Sequence, residues 1–423
     1  MAKVEVFENK APVLGINSLG RIGKLTLWHH VGRKYFKEII VNQGREVGLG
    51  METIARIIEA DATYGLLHRF LYGYKAKPVV QITDDKKGKL LVDGVPVTVL
   101  REQRNPKDIP WRQHGADIVV DCSGSFNDPT VPVDDKKGSI RGHLNGGAKV
   151  VIHSAPFKIK NKALSAPDDT AALIYGINHA SFNPKKHVII SSASCTTTGL
   201  AHMVKPLLEN EETSTILTAS MSTIHAATNS QSVLDKLPKA GEKDIRKTRS
   251  ILNNIILTST GAAQALVEVI PEVKNIGFMG DSIRVPTNTL SLIVLNATFQ
   301  ARRSSKGDAA DIDTKKLNNI YAKTAQNNPL LRFTMQQNVS TDLIGEDAAI
   351  IIEGQFNHTR TAFIAVTLEH IPNLPAELLK SLSEKTLQFP VVHAKIFGWY
   401  DNEYGSYTNR MGDLTVYIHK NLL

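Results

Sequence analysis

The chain of 423 residues has two cysteines, Cys122 and Cys195. Two thiols cannot staple a chain this long, so a disulfide framework is excluded, and so is a metal site built from several cysteines. A lone cysteine is ordinarily a small buried apolar residue, but Cys195 has surroundings of another kind. It stands in Ser191-Ser-Ala-Ser194-Cys195-Thr196-Thr-Thr-Gly199-Leu-Ala. Ile189-Ile190 before it reads as a strand end, and Leu200 to Leu208 after it as a helix. Cys195 is therefore expected at a helix N-terminus, where the peptide dipoles lower a thiol's pKa. The flanking hydroxyls and N–H groups suit an anion.

A second group of residues points to a dinucleotide. Gly15-Ile-Asn17-Ser18-Leu-Gly20-Arg21-Ile22-Gly23 follows a strand-like run and precedes a helical one. Glycines at such a turn let the backbone approach a pyrophosphate, whose charge then rests on the helix start. Ser18 takes the place of the first glycine of the usual pattern. The acidic residue that holds the adenosine ribose at the end of the second strand is also missing; Val41-Asn42-Gln43-Gly44-Arg45 stands there. Gln43 does not repel a 2′-phosphate and Arg45 attracts one, which tilts the expectation toward NADP. The other reading is that Asn42 or Gln43 hydrogen-bonds the ribose of NAD.

The elements that must position these residues alternate in the first half. Val13–Ile16, Glu38–Val41, Asp117–Asp121 and Lys149–Ile152 read as buried strands. Arg21–Val31 and Met51–Glu59 read as helices, the second with Ile54, Ile57 and Ile58 on one face. Lys89 to Leu100 reads as a hairpin turning at Asp93-Gly94. The second half has long β-branched runs at Thr215–His225, Thr289–Thr298 and Thr361–Glu369, with helices expected at about 250–270 and 313–325 and an exposed loop at Ala301–Asp308. The fold class that follows is α/β: a Rossmann-type doubly wound parallel sheet domain, then an α+β catalytic domain with a large mixed or antiparallel sheet. The expected boundaries are 1–194 with 402–423 for the first domain, its C-terminal helix packing back on it, and 195–401 for the second.

Composition is that of a globular protein, with 42% hydrophobic and 22% charged residues. No apolar run reaches membrane-spanning length, and Met1 to Pro12 lacks the apolar core of a secretory signal. A cytoplasmic protein is expected, with no membrane partner and no metal. The net charge of +9 raises the question of nucleic acid. The densest basic stretch, Lys236–Arg249, also holds Glu242 and Asp244, and no aromatics interleave with it as in single-strand binders. Small anions are the favoured partners.

The cysteine stretch resembles the active-site motif of phosphorylating glyceraldehyde-3-phosphate dehydrogenases. Further stretches resemble that family in order: Gly15–Gly23, Asp61-Ala-Thr-Tyr-Gly65, Pro110-Trp111, Asp117–Gly124, Ser154-Ala-Pro156, Tyr175–His179, Thr223-Ile-His225, Ser259–Ala263, Arg284-Val-Pro-Thr287 and Trp399–Gly405. The resemblance implies Cys195 as nucleophile and His225 as general base. It implies Ser194, Thr196, Thr228, Ser230, Arg249, Thr260, Gly261 and Arg284 as contacts to substrate phosphate and inorganic phosphate. It implies Asn17, Gly20, Arg21, Ile22, Gln43, Ser123, Ser154 and Asn402 as cofactor contacts. The implied partners are a phosphorylated aldehyde, inorganic phosphate, NAD or NADP, and three further copies of the chain in a homotetramer.

Four features depart from the family. Gln43 replaces an NAD-selecting Asp, although Leu237-Pro238 resembles the pair of NAD-using members. Thr198-Gly199 replaces Asn-Cys, and Ser230 replaces Thr. Extra length is expected as loops or an added helix around 159–166, 239–243, 301–315, 345–355 and 370–392, such as Pro375–Ser383. Two alternatives remain open. Gln231-Ser-Val-Leu-Asp235 has some character of erythrose-4-phosphate dehydrogenases, although the Ser259–Ala263 stretch that they lack is intact. A non-catalytic paralogue that uses its basic surface on nucleic acid is the other.

Overall fold

The computed structural model describes residues 11–302 and 312–422. Most of the N-terminal segment read above, and most of the Ala301–Asp308 loop, lie outside the described residues. The chain divides into two compact units, residues 1–198 with 402–423, and 199–401.

The first unit is built on alternating strands and helices: β1 (Val13–Asn17), α1 (Arg21–Arg33), β2 (Glu38–Asn42), α2 (Met51–Glu59), the short pair β3 (Ala60–Asp61) and β4 (Gly65–Leu66), and α3 (Leu67–Tyr72). Then come β5 (Val80–Asp84), β6 (Lys89–Val92), β7 (Val95–Leu100), β8 (Ile118–Asp121), α4 (Gly142–Asn145), β9 (Val150–His153), β10 (Thr170–Ala172) and β11 (Ile189–Ser191). The sheet order is β10-β11-β9-β8-β1-β2-β7-β6-β5. Strands β10 through β7 run parallel, and β5–β6–β7 form the antiparallel edge. From β1 the chain moves to β2 and β7 on one side and later returns to β8 on the other. That reversal opens a crevice at the strand C-termini, where open α/β sheets bind ligands.

Burial explains why these runs are strands and helices. β1, β8 and β9 are buried along their whole length, as continuous apolar runs in a parallel sheet must be. On α2 the buried apolar positions are Met51, Ile54 and Ile58, whereas Ile57 is exposed. The expected grouping of Ile57 with Ile54 and Ile58 is corrected accordingly: the stripe runs i, i+3, i+7 and Ile57 falls on its solvent edge. The Trp28 indole donates to the Ile58 carbonyl at 2.8 Å, tying α1 to α2. The C-terminal helix, Asn409–Leu422, packs on α1 and the turn after it, through Arg33 to Asp413 at 2.7 Å and Tyr35 to His419 at 2.9 Å.

A helix that starts at Cys195, α5 (Cys195–Glu209), leads out of the first unit. The second unit holds β12 (Ile216–Ala226), β13 (Ile256–Ser259), α6 (Ala262–Val269), β14 (Met279–Val285), β15 (Ser291–Gln300), α7 (Thr314–Asn327), β16 (Leu331–Thr334), β17 (Ile350–Glu353), β18 (His358–Thr367), α8 (Ala376–Ser381) and β19 (Thr386–Tyr400). Its mixed sheet has the order β13-β14-β12-β15-β19-β17-β16, with β18 also paired to β19.

Two expectations are corrected here. The helix expected over about 250–270 is a strand, β13, followed by the shorter α6. Ile256 to Ser259 pairs antiparallel with Asp281 to Arg284, and an available strand edge stabilises a short run that carries β-branched residues. Within 370–392 the expected added helix is present as α8, but 345–355 and the end of 370–392 contribute strands and not loops. Ile350–Glu353 is wholly buried and joins β16 to β19, and Thr386 onward belongs to β19, the longest strand. Its antiparallel register with β15 and β18 carries it through that stretch.

Candidate active site

In the first unit, the glycine turn is fixed by sterics. Ser18 adopts φ +88°, a region that costs a non-glycine residue strain, and its hydroxyl accepts from the Gly20 N–H at 3.2 Å. A Cβ at Gly23 would lie 1.9 Å from the Ser18 carbonyl oxygen. Only glycine lets α1 start this close to the turn, and this close packing is what frees the helix start to face an anion. We expect Gly23→Ala to cost about 1–3 kcal/mol of stability, as overpacking does, and to weaken NADH binding. Urea unfolding and fluorescence titration check this; unchanged values in both would show that the turn is not a tight cradle.

Three buried polar side chains lace the strand ends together. Asn17 donates to Asp121 at 3.3 Å and accepts from Asn42 at 2.9 Å. Asp121 also accepts from the Ser123 N–H at 2.8 Å, and its backbone carbonyl accepts from the Ser154 N–H at 3.0 Å. Burial alone would raise the Asp121 pKa. The imidazoles of His143 and His153, each 3.8 Å away, and the Ser123 N–H outweigh it and hold the group at about 2. Asn17, Ser123 and Ser154 are thus brought together, whereas Asp121, which positions them, had no role in the sequence reading. Its one signal was its place at the end of the Asp117–Asp121 run.

Gln43 accepts from the Leu19 N–H at 3.3 Å, closing the turn over the end of β2. A cleft of about 490 Å³ opens there, lined among others by Asn17, Ser18, Gln43, Arg45 and Ser123. Arg21, at the start of α1, has its guanidinium bound to Asp61 and Glu403. Asn402 is buried. These residues fit a dinucleotide.

Cys195 is the first residue of α5, and the helix start is built around it. Ser194 caps the helix, its hydroxyl accepting from the Thr197 N–H at 3.1 Å, while the Thr198 N–H donates to the Ser194 carbonyl at 2.8 Å. Ala193 takes φ +55°, so strand β11 turns sharply into the helix. Tyr407 braces that turn, with its hydroxyl 3.0 Å from Ser192 Oγ and donating to the Ala193 carbonyl at 3.2 Å. Cys195 is partly exposed and Thr196 buried. Cys122 is the opposite case: burial pushes its thiol up to about 12, which leaves it unreactive at neutral pH.

In the second unit, parallel pairing of β12 and β14 sets His225 opposite Arg284. Nδ1 of His225 lies 2.8 Å from the Ala226 carbonyl and 2.8 Å from Nη1 of Arg284, which also donates to Ala226 O at 3.0 Å. Arg284 Nη1 is thus within hydrogen-bond distance of both the imidazole and the Ala226 carbonyl. Burial, and then the Arg284 charge, lower the His225 pKa to about 4. The Tyr400 ring meets the imidazole edge-on at 6.0 Å, its hydroxyl 2.7 Å from Thr223 Oγ1. Tyr400 is a positioning residue that the sequence reading left within a motif and gave no role.

The expected anion contacts of this unit fall into three groups. Arg284 reaches Thr228 Oγ1 at 3.4 Å, and Thr228 and Ser230 share a hydrogen bond of 3.0 Å. Both hydroxyls and the Thr228 N–H donate to the Gln231 amide oxygen. Thr260 and Gly261 stand at the start of α6, with the Ala262 N–H donating to Thr260 Oγ1 at 3.2 Å. Arg249 is well exposed and bound to the Asp235 carboxylate at 2.9 Å.

A doubly wound sheet with a glycine cradle at its switch point, continued by a separate mixed-sheet unit, defines a dinucleotide-binding oxidoreductase of two domains. Residues 13–129 match the model of the glyceraldehyde 3-phosphate dehydrogenase NAD binding domain, and residues 194–367 that of the C-terminal domain of the same enzymes. A glyceraldehyde-3-phosphate dehydrogenase of Streptomyces coelicolor is 32% identical over 419 residues, covering 97% of this chain and 99% of its own. One of Streptomyces avermitilis is 33% identical over 417 residues, with the same coverage, and one of Chlamydia pneumoniae 31% over 406 residues, covering 96% and 98%. The chain belongs to the glyceraldehyde 3-phosphate dehydrogenase family. It is an oxidoreductase with an NAD-binding domain, acting on a small phosphorylated aldehyde. Among the described residues, no helix is long and apolar enough to cross a membrane.

Proposed function

We propose that this protein converts glyceraldehyde 3-phosphate and inorganic phosphate to 1,3-bisphosphoglycerate, with NAD or NADP as the oxidant. The observation that carries the reading is the setting of His225, a buried imidazole beside the Arg284 guanidinium and the Ala226 carbonyl, kept neutral by burial and then by the Arg284 charge. The start of α5 supplies the complement, because its dipole favours a thiolate at Cys195.

The steps follow from these groups. The Cys195 thiolate adds to the aldehyde carbon, the Cys195 N–H steadies the developing oxyanion, and the oxyanion takes up the proton that left the thiol to give the thiohemiacetal hydroxyl. His225 takes the hydroxyl proton of the thiohemiacetal as its C–H bond gives up hydride, leaving a thioester. Bound NAD(P) supplies the hydride acceptor. An oxygen of inorganic phosphate then attacks the thioester, expelling the thiolate and releasing the acyl phosphate. Arg249 and Arg284, with Ser194, Thr196, Thr228, Ser230, Thr260 and Gly261, furnish anion contacts, since guanidinium binds phosphate in a fork. Asn17, Gly20, Arg21, Ile22, Gln43, Ser123, Ser154 and Asn402 furnish cofactor contacts. Domain roles follow as 1–194 with 402–423 for cofactor and 195–401 for substrate.

A homotetramer belongs to the same proposal. Val233, Leu234, Leu237, Ile255 and Leu257 are large apolar side chains at the surface of the second unit, and an exposed apolar patch suits burial against another subunit. Sedimentation equilibrium tests it, and a monomer would overturn it.

The deciding experiment follows reduction of NAD and of NADP by purified protein with glyceraldehyde 3-phosphate, with and without phosphate. Phosphate-dependent turnover is expected. Turnover with erythrose 4-phosphate alone would move the assignment to that sister activity.

A further inference from the structure

The second strand of the cofactor unit ends without a carboxylate, and the space around that end is cationic. Arg45, Arg104, Lys136 and Lys137 line the cleft beside Gln43, and no Asp or Glu does. All four are exposed, and none makes an ion pair among the described residues. The two lysines come from a later segment, folded tightly enough to hold them there. The Gly138 N–H donates to the Asp135 carbonyl at 3.0 Å, making a turn, and the Lys137 N–H donates to the Asp135 carboxylate at 2.7 Å. Gly138 takes φ +90°, and a Cβ there would lie 2.7 Å from the Phe126 ring. Ser139 Oγ and Arg141 Nε donate to the Val131 and Pro129 carbonyls, each at 2.7 Å, fixing the base of the segment.

A phosphomonoester carries nearly two negative charges at neutral pH. A neutral amide at the ribose end of β2, with four cations around it and no competing acid, matches such a group. It has no purpose for a bare ribose hydroxyl. We propose that this cleft is a 2′-phosphate site and that Lys136 and Lys137 are specificity-determining residues for NADP over NAD. The inference rests on the reading of this unit as an NAD(P) cradle.

NADPH and NADH differ only by the 2′-phosphate, and both are read by nicotinamide fluorescence. Dissociation constants are measured for the native protein, for Lys136→Ala with Lys137→Ala, and for Lys86→Ala with Lys87→Ala, a pair that lines a neighbouring cleft. The first double variant should raise the ratio of the NADPH to the NADH constant about tenfold, the sum of two exposed charge contacts. The second should leave the ratio in place, and added salt should raise it in the native protein. If both dinucleotides bind and the ratio does not respond to Lys136 and Lys137, the inference is overturned and the cradle stands. If neither binds, both readings fall.

Discussion

Cys195→Ser is expected to abolish aldehyde oxidation, with a loss of about 10⁴-fold or more, the scale seen when a covalent nucleophile is removed. The reason lies in the position of the residue. The sulfur belongs to the first residue of α5, where the helix dipole favours a negative charge. A serine hydroxyl is far too weak an acid to ionise there. The fold should tolerate the change, because Ser194, Thr197, Ser192 and Tyr407 hold the turn. NADH titration and urea unfolding of the variant therefore separate lost chemistry from lost structure. Near-native turnover with both intact would sink the thioester mechanism, and Cys122, buried and pushed up to about 12, offers no substitute.

The second large effect is expected at His225. His225→Asn should slow oxidation by roughly 10²–10⁴-fold, the usual worth of a general base. A single-turnover rate that did not change would assign the base elsewhere. The same residue carries a pH signature in stability. Its pKa in the folded protein, about 4, lies below the ordinary 6.5 because of burial and the Arg284 charge. The unfolded chain therefore binds a proton between those values that the folded chain does not. The contribution of His225 is undiminished above pH 6.5 and is lost as pH falls toward 4, by up to roughly 3 kcal/mol at about 1.4 kcal/mol per unit. Urea unfolding at neutral pH and near pH 5 should show a steeper loss for the native protein than for His225→Asn. Parallel losses would mean that the imidazole is not held neutral by its surroundings.

The four sites of substitution come from different distances along the chain, and this governs how much of each was legible. The Gly23 turn and the placing of Cys195 at a helix start were readable locally. Backbone approach and helix capping depend on residues a few positions apart, and Ser194 caps α5 within its own motif. The resemblance placed His225, but nothing local said what would set its proton affinity. The Arg284 that lowers it arrives through the β12–β14 register. The same holds for Asp121, whose charge state depends on His143 and His153, and for Lys136 and Lys137, which line the cleft beside Gln43 although they come from a later segment.

By itself the sequence determined the alternating architecture of the first unit, the glycine cradle, the nucleophile candidate and the family. These follow from periodicity, from steric demands at single residues and from motifs of short range. Only the tertiary structure decided that Ile256–Ser259 is a strand and not a helix, that Ile350–Glu353 is core and not an added loop, and which charges surround each titrating or anion-binding group. A strand is stabilised by its partner's edge, and a charge is tuned by neighbours in space. Neither partner nor neighbour is fixed until the chain has closed on itself.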